Sequence, residues 1–190
     1  MTAKLLKEKF EQGLDYESFV ALGEPEGHRP QWDQRYDQLA LNQQQKDLIA
    51  GFTRKMNLLC LTGTWCGDCA LQGAALQRIA EANSELIDLR FVMRAEENAD
   101  LVVKSTINGG FRVPVTWFFA EDMKVVSQFG DRTLSRYRSM AQKALGDKVT
   151  ILAEPPEDPV RQVLNEMLEE FERVQLILRL SGRLRKKHGD

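Results

Sequence analysis

Cysteine is scarce in this chain: three residues among 190, at positions 60, 66 and 69. So few cannot build a disulfide framework, and they leave one closely spaced pair with a single thiol over. Histidine is scarcer still. His28 and His188 lie far along the chain from the cysteines, one in a loop and one in the tail, so a four-ligand structural zinc site lacks its usual donors. No segment approaches the ~20 apolar residues of a membrane span, and residues 1–10 alternate Lys and Glu with Leu instead of forming the apolar run of a secretory signal. Nor is one sign of charge in excess: a net charge of −2 gives no general attraction to nucleic acid or anionic lipid. Arg183, Arg185, Lys186, Lys187 and His188 make the tail locally basic, and so short a run is expected to be solvated. These absences point to a cytoplasmic protein with no nucleic-acid and no membrane partner, in a compartment where stable structural disulfides are rare.

What is present is a globular composition, 43% hydrophobic and 28% charged, at a length that favours one core with attachments over two independent domains. The first fifty residues pattern as helix: Leu5, Leu6 and Phe10 share one face, and Leu48, Ile49 and Phe52 share another. Gly23, Pro25, Gly27 and Pro30 interrupt them, and Asn42 with Gln45 makes a capping-box signature opening a helix over residues 43–54. The apolar run at 58–62 suits a buried central strand. Leu71, Ala75, Leu76 and Ile79 then predict a helix over 67–82, and alternating Ile87, Leu89, Phe91 and Met93 predict a second strand. A short helix is expected over 99–107, ended by Asn108, Gly109 and Gly110. Strand-like runs at 115–119 and 124–129 flank Glu121 and Asp122 as a hairpin, and a helix follows over 133–145. This order fits an α/β fold, a mixed sheet with helices on both faces.

Residues 153–159 combine three prolines with three acids and read as a linker. Beyond them a long helix is predicted over 160–186, with Val160, Leu164, Met167, Phe171, Val174 and Leu178 at spacings of four and three. That stripe is expected on the protein's own core, with a homodimer contact as the alternative. The expected organisation is a helical N-terminal extension (1–56), a core (57–150), and a linker with a long C-terminal helix (151–190), one structural domain overall.

Cys66-Gly67-Asp68-Cys69 follows the first strand and opens the next helix. The first sulfur then sits at a helix N-terminus, where unpaired N–H groups and the macrodipole favour an anion. Thiols so placed titrate at about 3.5–7.5 instead of ~8.5. The second sulfur, one turn in, can close a small ring with the first. Two thiols are too few for a metal site within one chain; a cluster shared by two chains is the remaining metal alternative. Two inert buried cysteines fit poorly with Trp65 and Gly67-Asp68, which read as an exposed turn. Asp68 opposes the dipole and is expected to raise the Cys66 pKa and favour the reduced pair, unless it is simply a solvated residue at the helix start.

Thr64-Trp65-Cys66-Gly67-Asp68-Cys69 after an apolar strand resembles the active-site segment of the thioredoxin superfamily, and Phe111-Arg112-Val113-Pro114-Val115-Thr116 resembles that family's cis-proline segment. The resemblance spans roughly residues 57–145. Within it, Arg94-Ala95-Glu96-Glu97-Asn98 and Asn108-Gly109-Gly110 are similar to a bacterial thioredoxin-like subgroup with an N-terminal helical extension. It implies a thioredoxin-like α/β fold with helical N- and C-terminal extensions. It also implies attack by Cys66 on a substrate disulfide, resolution by Cys69, a cis Pro114 facing the pair and shielding it from metals, and a Val113 backbone able to pair with an extended substrate segment. The alternative reading of Pro114 is a trans residue starting a strand; the cis expectation comes from the resemblance and not from the local residues. Trp65 is expected to cover one side of the disulfide and Trp117 to lie in the core, while Arg94 and Arg112 read as surface arginines near the site. Six residues before Cys66, where thioredoxins carry a buried acid, stands Cys60, expected as a small buried hydrophobe; a redox role for it is the alternative.

The expected function is therefore thiol–disulfide exchange on a protein or small-molecule disulfide, with a thiol or a reductase as electron donor and without metal or cofactor. The competing expectation is a non-catalytic binding or adaptor module of the same fold, whose helical extensions hold a partner.

Overall fold

The computed structural model describes residues 2–148, 154 and 156–190. The linker expected over 153–159 and the boundary expected at 150 fall partly outside them. Four strands, β1 (Met56–Thr62), β2 (Ile87–Met93), β3 (Val115–Ala120) and β4 (Val125–Gly130), form a sheet in the order β2-β1-β3-β4. β1 is parallel to β2 and antiparallel to β3, so Cys60 lies between Phe91 and Thr116, and β3 with β4 makes the expected hairpin. The helices are α1 (Ala3–Gln12), α2 (Tyr16–Ala21), α3 (Arg29–Gln38), α4 (Gln43–Ala50), α5 (Gly67–Glu81), α6 (Ala99–Lys104), α7 (Leu134–Leu145), α8 (Pro159–Leu180) and α9 (Gly182–His188).

Every residue of β1 and β3 is buried, as strands covered on both faces must be. The neighbours Phe118 and Phe119 point opposite ways along β3. Phe118 meets Phe171 of α8 edge-on at 5.2 Å, and Phe119 meets Phe10 of α1 at 6.3 Å. Helices from the two ends of the chain thus cover the two faces of the mixed sheet. Leu14, between α1 and α2, exchanges backbone hydrogen bonds of 2.9 and 2.8 Å with Phe91. That bridge occupies the outer edge of β2, which would otherwise present unpaired groups.

The capping box at Asn42 and Gln45 forms reciprocally, but α4 stops at Ala50 instead of continuing to 54. The cause is Gln175 of α8: its side-chain oxygen accepts from the Thr53 and Arg54 N–H groups at 3.2 and 3.1 Å, and its amide donates to the Arg54 carbonyl at 2.6 Å. These bonds draw the chain off the helix and into β1. Ile49 and Phe52 are consequently buried while Leu48 is exposed, so the expected shared face of those three does not exist. α6 likewise ends early, before a turn in which Asn108 and Gly109 take φ of 49° and 70°.

On α8, Leu164, Met167, Phe171, Val174 and Leu178 are buried in the chain's own core, each contributing about 1.5–3 kcal/mol of apolar burial. The stripe expected there is spent on the protein's own core, the first of the two expectations for it. The single helix expected to 186 breaks at Ser181, and α9 turns back to bury Leu184. The basic tail is not merely solvated: Lys187 and His188 reach Glu121 at 2.6 and 2.9 Å, and Arg183 pairs with Asp122. Among the described residues no helix is long and apolar enough to cross a membrane.

Candidate active site

β1 ends at Thr62 and α5 begins at Gly67, with Cys66 as its N-cap in an extended conformation (φ −95°, ψ 118°). The Cys66 sulfur accepts a hydrogen bond from the Cys69 N–H at 3.3 Å, which is the geometry that a side-chain cap makes with the first turn. The thiol is lowered from 9.0 to about 7. A hydrogen bond from the Cys69 thiol is the main cause, burial opposes it, the N–H groups of Cys69 and Asp68 add to it, and the Asp68 carboxylate works weakly against it. Cys69 is fully buried, and desolvation drives its thiol far above the ordinary range. Cys60 is also fully buried and is pushed up to about 12 by desolvation, partly offset by a hydrogen bond with Thr116.

Reactivity towards an alkylating agent therefore divides by position. With one half-exposed thiol near 7, alkylation of Cys66 is expected to rise through pH 7 and to plateau about two units above it. Cys60 is expected to stay unmodified until the protein is unfolded. Mass spectrometry of peptides alkylated across a pH series reads both outcomes, and early modification of Cys60 would contradict the inert assignment.

β3 is antiparallel to β1 and pairs Val115 with Leu61. Residues just before β3 and just after β1 therefore share one end of the sheet, and this brings the 113–114 segment to the Cys66 end. The Val113–Pro114 bond is cis, as is Gly130–Asp131. β4 ends alongside, and a Cβ on Gly130 would lie 2.8 Å from the Pro114 carbonyl oxygen, so glycine is required for this approach. Trp65 is 46% exposed next to Cys66, Gly67 opens α5, Val113 is buried, and Trp117 lies in the core with its indole N–H on Gln128 at 3.0 Å.

Asp68 raises the Cys66 pKa as expected, but it is not a solvated residue at the helix start. Its side chain is 10% exposed and accepts from Arg132 Nε at 2.6 Å and Arg136 Nε at 2.5 Å. Its charge is paired, and it anchors the first turn of α5 to the start of α7. Arg132 also meets Asp131 at 2.8 Å, and Arg112, two residues before Pro114, meets Asp131 at 3.2 Å. Asp131 is buried, which works against its charge, but Tyr137, Arg112 and Arg132 hold its carboxyl below the usual range. The network ties the cysteine turn, the cis-proline segment and α7 together.

Sequence reasoning missed the part played by the N-terminal helices. His28 is not remote from the cysteines: its Nδ1 lies 3.1 Å from the Thr64 hydroxyl. Trp32 Nε1 and Gln31 Nε2 donate to the Thr64 carbonyl at 2.8 and 2.7 Å, so α3 holds the residue two before Cys66. The signal available was only the aromatic and polar composition of residues 28–32, which does not reveal a long-range contact. Arg94 donates its N–H to the Thr62 carbonyl at 2.7 Å, and its side chain lines a cleft of about 220 Å³ with Val102, Val103 and Phe111. A larger acid-lined cleft of about 840 Å³ beside Tyr16 and Tyr36 contains none of these site residues. Among the described residues no group of three or more His, Cys, Asp and Glu side chains is placed to hold a metal.

A four-stranded mixed sheet with a Cys-x-x-Cys turn at a helix N-terminus, opposite a cis-proline, defines the thioredoxin-like class. A family model described as thioredoxin matches residues 13–144, well over half of the chain, and the chain belongs to that family. The match starts at residue 13, so α2, α3 and α4 lie within the family's own span instead of preceding it. A crystal structure of a Pseudomonas aeruginosa protein of unknown function is similar at 18% identity, covering 88% of this chain and 95% of that one, with a TM-score of 0.64. An HIV epitope-scaffold is similar over the same shares at 18% identity and a TM-score of 0.61. At these identities the likeness speaks for the fold. No curated protein matches the chain.

Proposed function

We propose that the protein is a thiol–disulfide oxidoreductase that reduces protein or small-molecule disulfides. The observation that carries this reading is the Cys66 sulfur at the start of α5, partly buried, accepting from the Cys69 N–H at 3.3 Å, with its thiol lowered to about 7. Cys66 thiolate attacks a substrate disulfide R–S–S–R′, forming Cys66–S–S–R and releasing R′–S⁻. Cys69 then attacks the Cys66 sulfur, releasing R–S⁻, and the Cys69 proton ends on a leaving thiolate. The substrate gains two electrons and the pair becomes a disulfide, which a thiol or a reductase returns to the dithiol. No metal or organic cofactor takes part.

The substrate segment lies extended against Val113 beside the cis Pro114, pairing with the backbone by strand addition. Exposed Trp65 and Phe111 supply apolar contact around the sulfurs. Gly67 leaves the turn uncluttered, and Asp68 holds it through Arg132 and Arg136. A cytoplasmic setting would keep the pair reduced, in line with this direction of transfer.

Insulin reduction with dithiothreitol as electron donor tests the proposal. Wild type is expected to accelerate precipitation of the insulin B chain, and Cys66→Ser to fall to the uncatalysed rate. Absence of activity in both forms would favour the adaptor reading.

A further inference from the structure

Resolution of the mixed disulfide needs a thiolate at Cys69, yet burial strongly disfavours one there. Among the described residues the groups that hydrogen-bond with its sulfur include no carboxylate. Asp68 is held by two arginines, and Cys60 is buried and kept protonated. Stabilisation of the incipient anion must then come from hydrogen-bond donors.

Thr62 is the last residue of β1 and shares a face with Cys60 by the two-residue alternation of a strand. It is completely buried, and its hydroxyl oxygen is one of three buried side-chain polar atoms without a hydrogen-bond partner among the described residues. Its main chain is fixed by pairing with Met93 and by the Arg94 N–H on its carbonyl. A buried polar group left unpaired is costly and calls for an explanation. Thr62 ends β1 and Cys69 lies in the first turn of the helix that follows; the Thr62 side chain and the Gly63 N–H both favour the ionised form of the Cys69 sulfur. A hydroxyl proton rotates freely about the C–O bond, so the group that has no full partner in the dithiol gains one when Cys69 loses its proton.

We infer that the Thr62 hydroxyl is a catalytic hydrogen-bond donor to the Cys69 sulfur, acting in the resolving step and not in the first attack. The inference rests on the proposed exchange chemistry and adds to it a residue that takes over the support a buried acid would give. Thr62 donates a hydrogen bond only. The Cys69 proton itself departs to the leaving substrate thiolate, so that Cys69–SH and Cys66–S–S–R become Cys66–S–S–Cys69 and R–SH.

One equivalent of a chromogenic aromatic disulfide separates the two steps without any physiological substrate. The first aryl thiolate reports attack by Cys66, and the second reports resolution by Cys69. Thr62→Val, which has the same shape without the hydroxyl, is expected to leave the first phase unchanged and to slow the second about tenfold, the effect of one hydrogen bond to a charged group. Thr62→Ser is expected to restore the second phase, which a merely structural role for the threonine methyl would not allow. A Thr62→Val second phase at the wild-type rate, or a Thr62→Ser second phase as slow as that of Thr62→Val, overturns the inference alone. Absence of the first phase in the unaltered protein overturns the exchange reading and this inference with it.

Discussion

Cys69→Ser is expected to turn a catalyst into a trap. Cys66 still attacks, but the mixed disulfide waits for an external thiol, and insulin reduction falls to about the uncatalysed dithiothreitol rate. The reason is reach: the third cysteine, Cys60, is fully buried in β1 with its thiol pushed up to about 12, so no other thiol of the protein resolves the intermediate and only added dithiothreitol releases it. Serine is the right replacement because its hydroxyl still donates towards Cys66, preserving the main cause of that sulfur's low pKa. Cys69→Ala removes the donor as well, and its Cys66 is expected to alkylate more slowly at pH 7 than in Cys69→Ser. Non-reducing gels of the variant incubated with insulin should show an adduct that dithiothreitol dissolves. Turnover near the wild-type rate in Cys69→Ser would end the two-cysteine mechanism.

Trp32→Ala is expected to cost about 3–5 kcal/mol, a large share of the ~5–15 kcal/mol that holds a domain together. Trp32 is completely buried, meets Phe19 edge-on at 5.5 Å and Tyr16 at 5.9 Å, and donates to the Thr64 carbonyl. Its ring lies so close to α5 that a Cβ on Gly73 would fall 2.4 Å from it. Trp32→Phe keeps most of the packing, and Gln31 still donates to the Thr64 carbonyl at 2.7 Å, so this variant should lose only about 1–2 kcal/mol. Urea denaturation measures both. Equal losses in the two variants would show that the hydrogen bond, not the aromatic burial, dominates at this position. Because Thr64 is two residues before Cys66, Trp32→Ala should also loosen the cysteine turn and lower the fraction of protein giving a fast first thiol phase.

The elements nearest the chemistry were legible because their signals are local. The apolar run of β1, the helical spacing after Cys66 and the alternation in β2 each demand one backbone state, and the Cys-x-x-Cys spacing places both sulfurs within one turn. The early stop of α4 was not legible. Gln175, more than a hundred residues away, decides it by taking the Thr53 and Arg54 amides. The pairing of Asp68 was hidden for the same reason: its partners Arg132 and Arg136 are distant in sequence, and no local pattern marks a carboxylate as paired. His28 was placed away from the site because distance along the chain was all there was to judge by.

The sequence alone determined the backbone periods, the helix that begins at the first active cysteine, and the small-ring spacing of the pair, since these follow from side-chain pattern and from unpaired N–H groups at a helix start. Tertiary packing alone decided which surroundings each sulfur meets: a partly buried capped position for Cys66, a fully buried one for Cys69, and a turn held by α3 and by paired arginines. Burial and ion pairing depend on which distant segments touch, and long-range contacts leave no periodic trace in the chain.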